Sequence, residues 1–319
     1  MWEMRHNPNV FMIGEDIFRF GGVFGTADGL GAEFGPQRII DTPISETGFV
    51  SMAAGAAMAG MHPIVELAYI DFIGVCYNSI VNFAAKTHYM SGGGFKVPMT
   101  MMIGVGAGYC NAAQHSQSMY AVLAHMPGIK VVLASNAYDA KGLMHAALRE
   151  ENFVIYLCHK HMAGIAYLGR PIPGTIRAVP NEPYTIPIGK AAIAREGNDV
   201  TLVGLGWTVH QSLEAAAELE RDGISAEVVD LRSLVPLDRE TVCASVRRTG
   251  RLVVADEDYL SYGVSGEIVA TVAESGVAFK SPPRRVAFPD IPIPFSRPME
   301  RGVLPFANKI AKAARSTLE

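Results

Sequence analysis

Short apolar runs alternate with helix-spaced segments along the whole chain, and that alternation constrains the fold more than any other feature. In the first half the strand-like runs are "VFMIGED", "RIIDTPI", "HPIVELAY", "KVPMTMMIGVG", "GIKVVLAS" and "NFVIYLC". Between them lie a segment starting near Thr47, "GVCYNSIVNFAAKTHYM" and "AYDAKGLMHAALRE", all with helical spacing. Strands that alternate with helices predict an α/β domain built on a mostly parallel sheet, because a parallel pair needs a long crossover connection. A stretch dense in Pro and Gly, "GRPIPGTIRAVPNEPYTIPIG", then interrupts the pattern. It reads as an interdomain linker. The alternation restarts with "DVTLVGLG", "SAEVVDLRSL", "RLVVADED" and "RRVAFPD" as strands. Helical segments there are "TVHQSLEAAAELERDG", "GVSGEIVATVAESG" and "NKIAKAARSTL". The predicted organisation is therefore residues 1–166, a linker at 167–187, and residues 188–319, each domain a mostly parallel sheet flanked by helices.

The bulk numbers agree. A chain of 319 residues fits two domains of roughly 100–200 residues. Charged residues make up only 18% and apolar ones 49%, which excludes a disordered chain. A net charge of −4 gives no reason to expect a nucleic-acid or anionic-membrane partner. No apolar run is long enough to span a bilayer, and "MWEMRHNPNV" lacks the apolar core of a signal peptide. Cys76, Cys110, Cys158 and Cys243 have no paired spacing and read as free thiols of a cytoplasmic protein.

Several constellations carry possible chemistry. "GLGWTV" follows a strand and precedes a helix, but Val209 stands at the third glycine position of a dinucleotide signature. "GVGAG" also fails that spacing. In "CHKH", a strand would put His159 and His161 on one face and Cys158 on the other, which argues against zinc. "QHSQS" sets His115 among hydrogen-bonding side chains after a glycine-rich loop, where α/β sheets collect functional groups; a satisfied structural histidine is the plainer reading. Glu46, in "DTPISETGF", opens the charge-free small-residue segment "VSMAAGAAMAG". Either it complements a helix N-terminus, or it meets a partner outside this chain.

The ordered motifs "DTPISETGF", "YMSGG", "AAQHSQS", "PGIKVV", "YDAKGL" and "IPIGKA" make the chain resemble, over nearly its whole length, the β subunit of the E1 component of 2-oxo acid dehydrogenase complexes, including pyruvate and acetoin dehydrogenases. The resemblance implies a transketolase-type pyrimidine-binding domain followed by a transketolase C-terminal domain. It also implies an α2β2 heterotetramer with thiamine diphosphate held between α and β, magnesium coming mainly from α, and transfer of the product to the lipoyl group of an E2 acyltransferase. Glu46 then contacts N1′ of the aminopyrimidine and activates the cofactor, and Phe72 packs on that ring. His115 transfers a proton during reductive acylation of lipoamide. "ALREENF" matches a segment that holds potassium, with Ala147, Glu150 and Asn152 as ligands. The Gly-Asp-Gly signature for diphosphate is not met, since "ADGLGAE" has Ala27 where the first glycine belongs. The tail "FPDIPIPFSRPMERGVLP" is expected to be extended and, by resemblance, near the E2 docking surface.

Departures from the family pattern fall at His62, Met102, Phe153, Cys158 and "ADEDYLSYG", which bear on substrate and α contacts. The family usually carries a further helix before "NPNVF", so a truncated N-terminus is expected. Local motifs, "DFIGVCYNSIVN" among them, stand nearer to acetoin and pyruvate enzymes than to branched-chain ones. The rival enzyme is half of a split transketolase-like protein that moves two-carbon units between sugars. The non-enzymatic rival is a scaffold subunit, against which the presence of both Glu46 and His115 argues.

Overall fold

The computed structural model describes residues 1–163 and 172–319. The expected end of the first domain at 166 and the start of the linker at 167 lie outside the described residues. Twelve strands are found among the described residues: β1 Val10–Gly14, β2 Ile39–Asp41, β3 His62–Leu67, β4 Thr100–Val105, β5 Lys130–Leu133, β6 Val154–His159, β7 Ala192–Arg195, β8 Val200–Gly204, β9 Ala226–Asp230, β10 Ser233–Val235, β11 Leu252–Tyr259 and β12 Arg284–Phe288. They form two sheets, ordered β10-β5-β6-β4-β3-β1-β2 and β12-β11-β8-β9-β7. The pairings among β1–β6 are all parallel, and β10 and β7 are the antiparallel edges. Every residue of β1, β8 and β9 is buried, as strands covered by helices on both faces require. The two-domain α/β architecture read from the alternation is thus the observed one.

The small-residue segment after Glu46 is the helix Glu46–Met58. Phe49, Val50, Ala53, Ala54 and Ala57 are buried in the core that faces β1, β3 and β4. Ser51 Oγ lies 2.7 Å from Ser79 Oγ. Alanine and serine at these positions let two helical segments and a sheet meet closely, which larger side chains would prevent.

The structure departs from the sequence reading in several places. "SAEVVDLRSL" is not one strand: Arg232 has a left-handed φ of 56°, and the chain leaves β9 to add β10 to the other sheet beside β5. A period-two pattern continues through such a residue, so hydrophobicity alone does not reveal the break. The helix Arg239–Thr249 was not read, although Asp238 caps it by accepting from Thr241 N at 3.2 Å and Gly250 ends it at φ 73°. The tail expected to be extended contains the helix Arg297–Val303, with Pro298 in its first turn, where a fixed φ and a missing N–H are tolerated.

The two sheets are joined by buried polar pairs. Arg232 grips Asp139 with Nε at 2.9 Å and Nη2 at 2.8 Å, and Ser135 Oγ donates to Asp230. Replacing Arg232 by Met leaves the buried Asp139 carboxylate without its cation, and the expected loss is about 3 kcal/mol of stability. Arg5→Met, which breaks the exposed pair with Glu33, should leave the melting temperature unchanged. Differential scanning calorimetry of both variants checks this; equal melting temperatures would contradict it.

Candidate active site

Because β1–β6 run in one direction, their C-terminal ends open along one edge. Glu15 follows β1, Glu46 follows the turn after β2, Tyr69 to Phe72 follow β3, residues 106–119 follow β4, and Lys160 follows β6. β1 leads outward to β2 on one side, whereas β3, its other neighbour, leads to β4 on the opposite side. That divergence makes a crevice between β1 and β3, the usual ligand position in such sheets.

Glu46 sits at the first position of its helix, where the partial positive charge of the N-terminus favours a carboxylate by ~0.3–1 kcal/mol. That is only part of what burial demands. The residue is 7% exposed, and its carboxylate accepts no hydrogen bond among the described residues. Thr47 Oγ1 donates to Val75 O at 2.6 Å and ties this helix to Ile73–Asn78, the helix that directly follows Phe72. Burial, and then the Glu46 charge, raise the Glu15 carboxyl above its ordinary range; its Oε1 is buried and unpartnered. Burial and the same charge push the Cys76 thiol to about 12.

The structure brings Phe72 and His115 together. Their ring centroids are 5.5 Å apart, and Tyr69 lies 4.7 Å from His115 and 5.5 Å from Phe72, each pair edge to face. Tyr69 was missed by the sequence reading, as was Lys160. Lys160 is 2% exposed, donates to the His115 carbonyl at 2.6 Å, and lies 5.0 Å from the Tyr69 ring centre. Burial lowers its ammonium to about 8, against the pull of Asp71, Glu257 and Glu300. The signal available for Lys160 was its position just after a buried strand.

"CHKH" is not a strand throughout. β6 ends at His159, and Lys160 begins a helical turn, so the face-sharing argument against zinc had a wrong premise. His159 and His161 instead stack on Trp207, each ring centroid 6.2 Å away, and His159 Nε2 lies 2.5 Å from Glu257. Among the described residues, no group of three or more His, Cys, Asp or Glu is placed to hold a metal. Ala147, Glu150 and Asn152 lie far along the chain fold from Glu46, beside the N-terminal ends of β5 and β6. There Glu150 N donates to Ala147 O at 3.2 Å, the Glu150 carboxylate pairs with Lys130 at 2.5 Å, and Asn152 Oδ1 is buried without a hydrogen-bond partner.

Two family descriptions match the chain: "Transketolase, pyrimidine binding domain" over residues 2–164 and "Transketolase, C-terminal domain" over residues 189–310. The β subunit of acetoin:2,6-dichlorophenolindophenol oxidoreductase from Cupriavidus necator is 44% identical, across 99% of this chain and 94% of its own. The chain belongs to the transketolase-like E1 β-subunit family. The 2-oxoisovalerate dehydrogenase β subunit of Bacillus subtilis is 40% identical, and that organism's pyruvate dehydrogenase E1 β subunit 39%, each across 99% of this chain and 95% of the relative. A split-gene transketolase, described as an inactive β4 tetramer, shares the fold with a TM-score of 0.79 at 24% identity, over 99% of this chain and 94% of that one. Membership makes this an E1 component β subunit of an oxidoreductase, and it implies thiamine diphosphate and an α-subunit partner. None of the helices among the described residues is long and apolar enough to cross a membrane.

One more carboxyl of this E1 β chain lies at the crevice. Glu66, on β3 opposite Gly14 of β1, accepts from Thr26 Oγ1 at 2.8 Å, while its Oε2 is buried and unpartnered. Gly22, at φ 83°, passes so close that a Cβ there would touch both carboxyl oxygens. Burial raises Glu66 from the ordinary 4.5 to about 7. The folded state therefore holds this proton more tightly than the unfolded one. Its contribution to stability is full below pH 4.5 and is lost as pH rises through 7, a change of roughly 3 kcal/mol. Glu66→Gln should then be more stable than the parent at pH 8 and nearly equal to it at pH 5. Melting temperatures at the two pH values check this, and a difference independent of pH would contradict it.

Proposed function

We propose that this chain supplies the pyrimidine half of a thiamine diphosphate site in an acetoin or short 2-oxo acid dehydrogenase, and that it is inert until an α subunit supplies the diphosphate and magnesium half. The observation that carries this reading is Glu46, a residue 7% exposed whose carboxylate meets no donor in the described chain. A ring nitrogen able to share a proton would answer that need, and the nearby aromatic side chains suit a flat heterocycle. The residues thus fit the aminopyrimidine end of the cofactor. When bound, thiamine diphosphate supplies an electron sink for cleavage of the bond beside the substrate carbonyl.

The roles of this chain's own residues follow. Glu46 holds a proton at its carboxyl oxygen against N1′ and, shielded from water, keeps that hydrogen bond short and strong. Phe72 packs on the ring. His115, turned edge-on to Tyr69 and Phe72, delivers a proton from its imidazole to the lipoyl sulfur during transfer to E2. Ala147, Glu150 and Asn152 hold a potassium ion away from the reaction centre; the unpartnered Asn152 Oδ1 supports this, since a hard cation takes oxygen ligands. Exposed Ile44, Met52 and Val75, flanking Glu46, form the surface that α covers, and the assembly is an α2β2 tetramer. The identities of 44% and 42% to acetoin enzymes, against 40% to the 2-oxoisovalerate and 39% to the pyruvate enzyme, favour acetoin as substrate, and the local motifs keep pyruvate beside it.

Isothermal calorimetry and turnover assays on the chain alone, and again with its α partner added, test this. The isolated chain should bind thiamine diphosphate too weakly to detect, and binding and cleavage of acetoin or pyruvate should both appear with α. Micromolar affinity in the isolated chain would contradict the half-site reading.

A further inference from the structure

The loop 106–119, which carries His115, is held in an unfavourable backbone shape. Cys110, Ala112 and Met119 all have left-handed φ values, 63°, 61° and 38°, which side chains other than glycine rarely adopt. Gly106 and Gly108, at 92° and 111°, pass so close to the His159 and His161 rings that a Cβ at either would collide. Such geometry persists only where the surroundings over-determine it.

The surroundings come from the C-terminal domain. Glu257 Oε1 accepts from Ala107 N at 2.9 Å while its other oxygen meets His159. Glu300, on the helix Arg297–Val303 and 1% exposed, accepts from Gly108 N at 3.0 Å and from Cys110 N at 3.2 and 3.1 Å; Cys110 Sγ lies 3.4 Å from it. At the far end Asp256 takes the Tyr120 hydroxyl at 2.5 Å and Asp258 takes Ala121 N at 3.1 Å. Glu257 is also committed to the histidine seam. Among the described residues, the Glu300 carboxylate, by contrast, takes its hydrogen bonds from the loop alone, and it grips the amide of the strained Cys110 itself.

We propose that Glu300 is a positioning residue for His115: by holding the amides of Gly108 and Cys110 it fixes the strained entry of the 106–119 loop, so that the imidazole stays edge-on to Tyr69 and Phe72. It touches neither ring and acts through the backbone, with Lys160 carrying the restraint to the His115 carbonyl. This rests on the reading of His115 as the proton donor for lipoyl transfer. A side-chain donor displaced by about 1 Å loses on the order of a hundredfold in rate, whereas steps that do not use it are spared.

The test uses the enzyme reconstituted with its α partner. In Glu300→Gln, one acceptor oxygen becomes an amide donor facing the Cys110 and Gly108 N–H groups. Transfer to a lipoyl domain should fall about tenfold or more while reduction of an artificial dye acceptor stays within about twofold. In a His115→Ala background the same change should slow lipoyl transfer no further. Hydrogen–deuterium exchange should rise at residues 106–119 and not in β11. Parallel loss in both assays, a multiplicative loss in the double variant, or unchanged exchange in the loop would overturn the proposal. If His115→Ala itself lowers both assays equally, the role given to His115 fails, and loop exchange still decides whether Glu300 holds the loop. Should Glu300→Gln not assemble, Glu300→Asp keeps the charge on a shorter arm. It should lower lipoyl transfer about threefold with the dye rate retained, and full retention of lipoyl transfer would overturn the proposal equally.

Discussion

A carboxylate removed from water must be given donors, a cation or a proton, and the structure of this E1 β chain follows from how that requirement is met. Asp256, Glu257, Asp258 and Glu300 of the second domain take theirs from backbone amides and side chains of the first. Asp139 of the first takes an arginine from the second. These bonds fix the seam between the sheets, and the same bonds shape the loop that presents His115. Glu46 and Glu15 stand apart from this pattern. They are placed together at the crevice end of the sheet, and Glu46 has no donor in the described chain. Glu46 without a donor, beside a Glu15 oxygen that is buried and unpartnered, points to something that arrives from outside.

Much of the fold was legible in the sequence because burial on both faces leaves a plain trace: apolar runs the length of a strand, separated by helix-spaced segments. Glu46 and His115 were legible as candidates by position, one at a helix entrance and the other in a loop after a buried strand. Their roles came from the motif resemblance and not from those positions. What stayed hidden depends on contacts between residues distant in the chain. Tyr69 reads as one more aromatic after a strand until His115 is folded against it. Lys160 reads as a surface lysine until the loop covers it. Glu300 sits in a Pro-rich tail whose composition suggests extension, and only the helix Arg297–Val303 turns it inward. The break at Arg232 depends on one backbone angle that hydrophobic alternation does not record.

The site is consequently shared among three parts. The first sheet supplies the crevice and Glu46. The second domain restrains the histidine loop from behind. On the proposed reading, the α subunit covers the exposed apolar side chains around Glu46 and holds the rest of the cofactor. On the proposed half-site reading, this division is how a chain with a well-buried core would depend on a partner for catalysis.

The central claim is that Glu46 holds the proton that activates the cofactor, and its most direct measurement is C2–H/D exchange of thiamine diphosphate bound to the α-reconstituted enzyme. Glu46→Gln keeps the volume and the helix but cannot share that proton. Exchange should slow by about a hundredfold or more in a variant that still assembles and still melts at the parent temperature. Exchange at the parent rate in that variant would contradict the account.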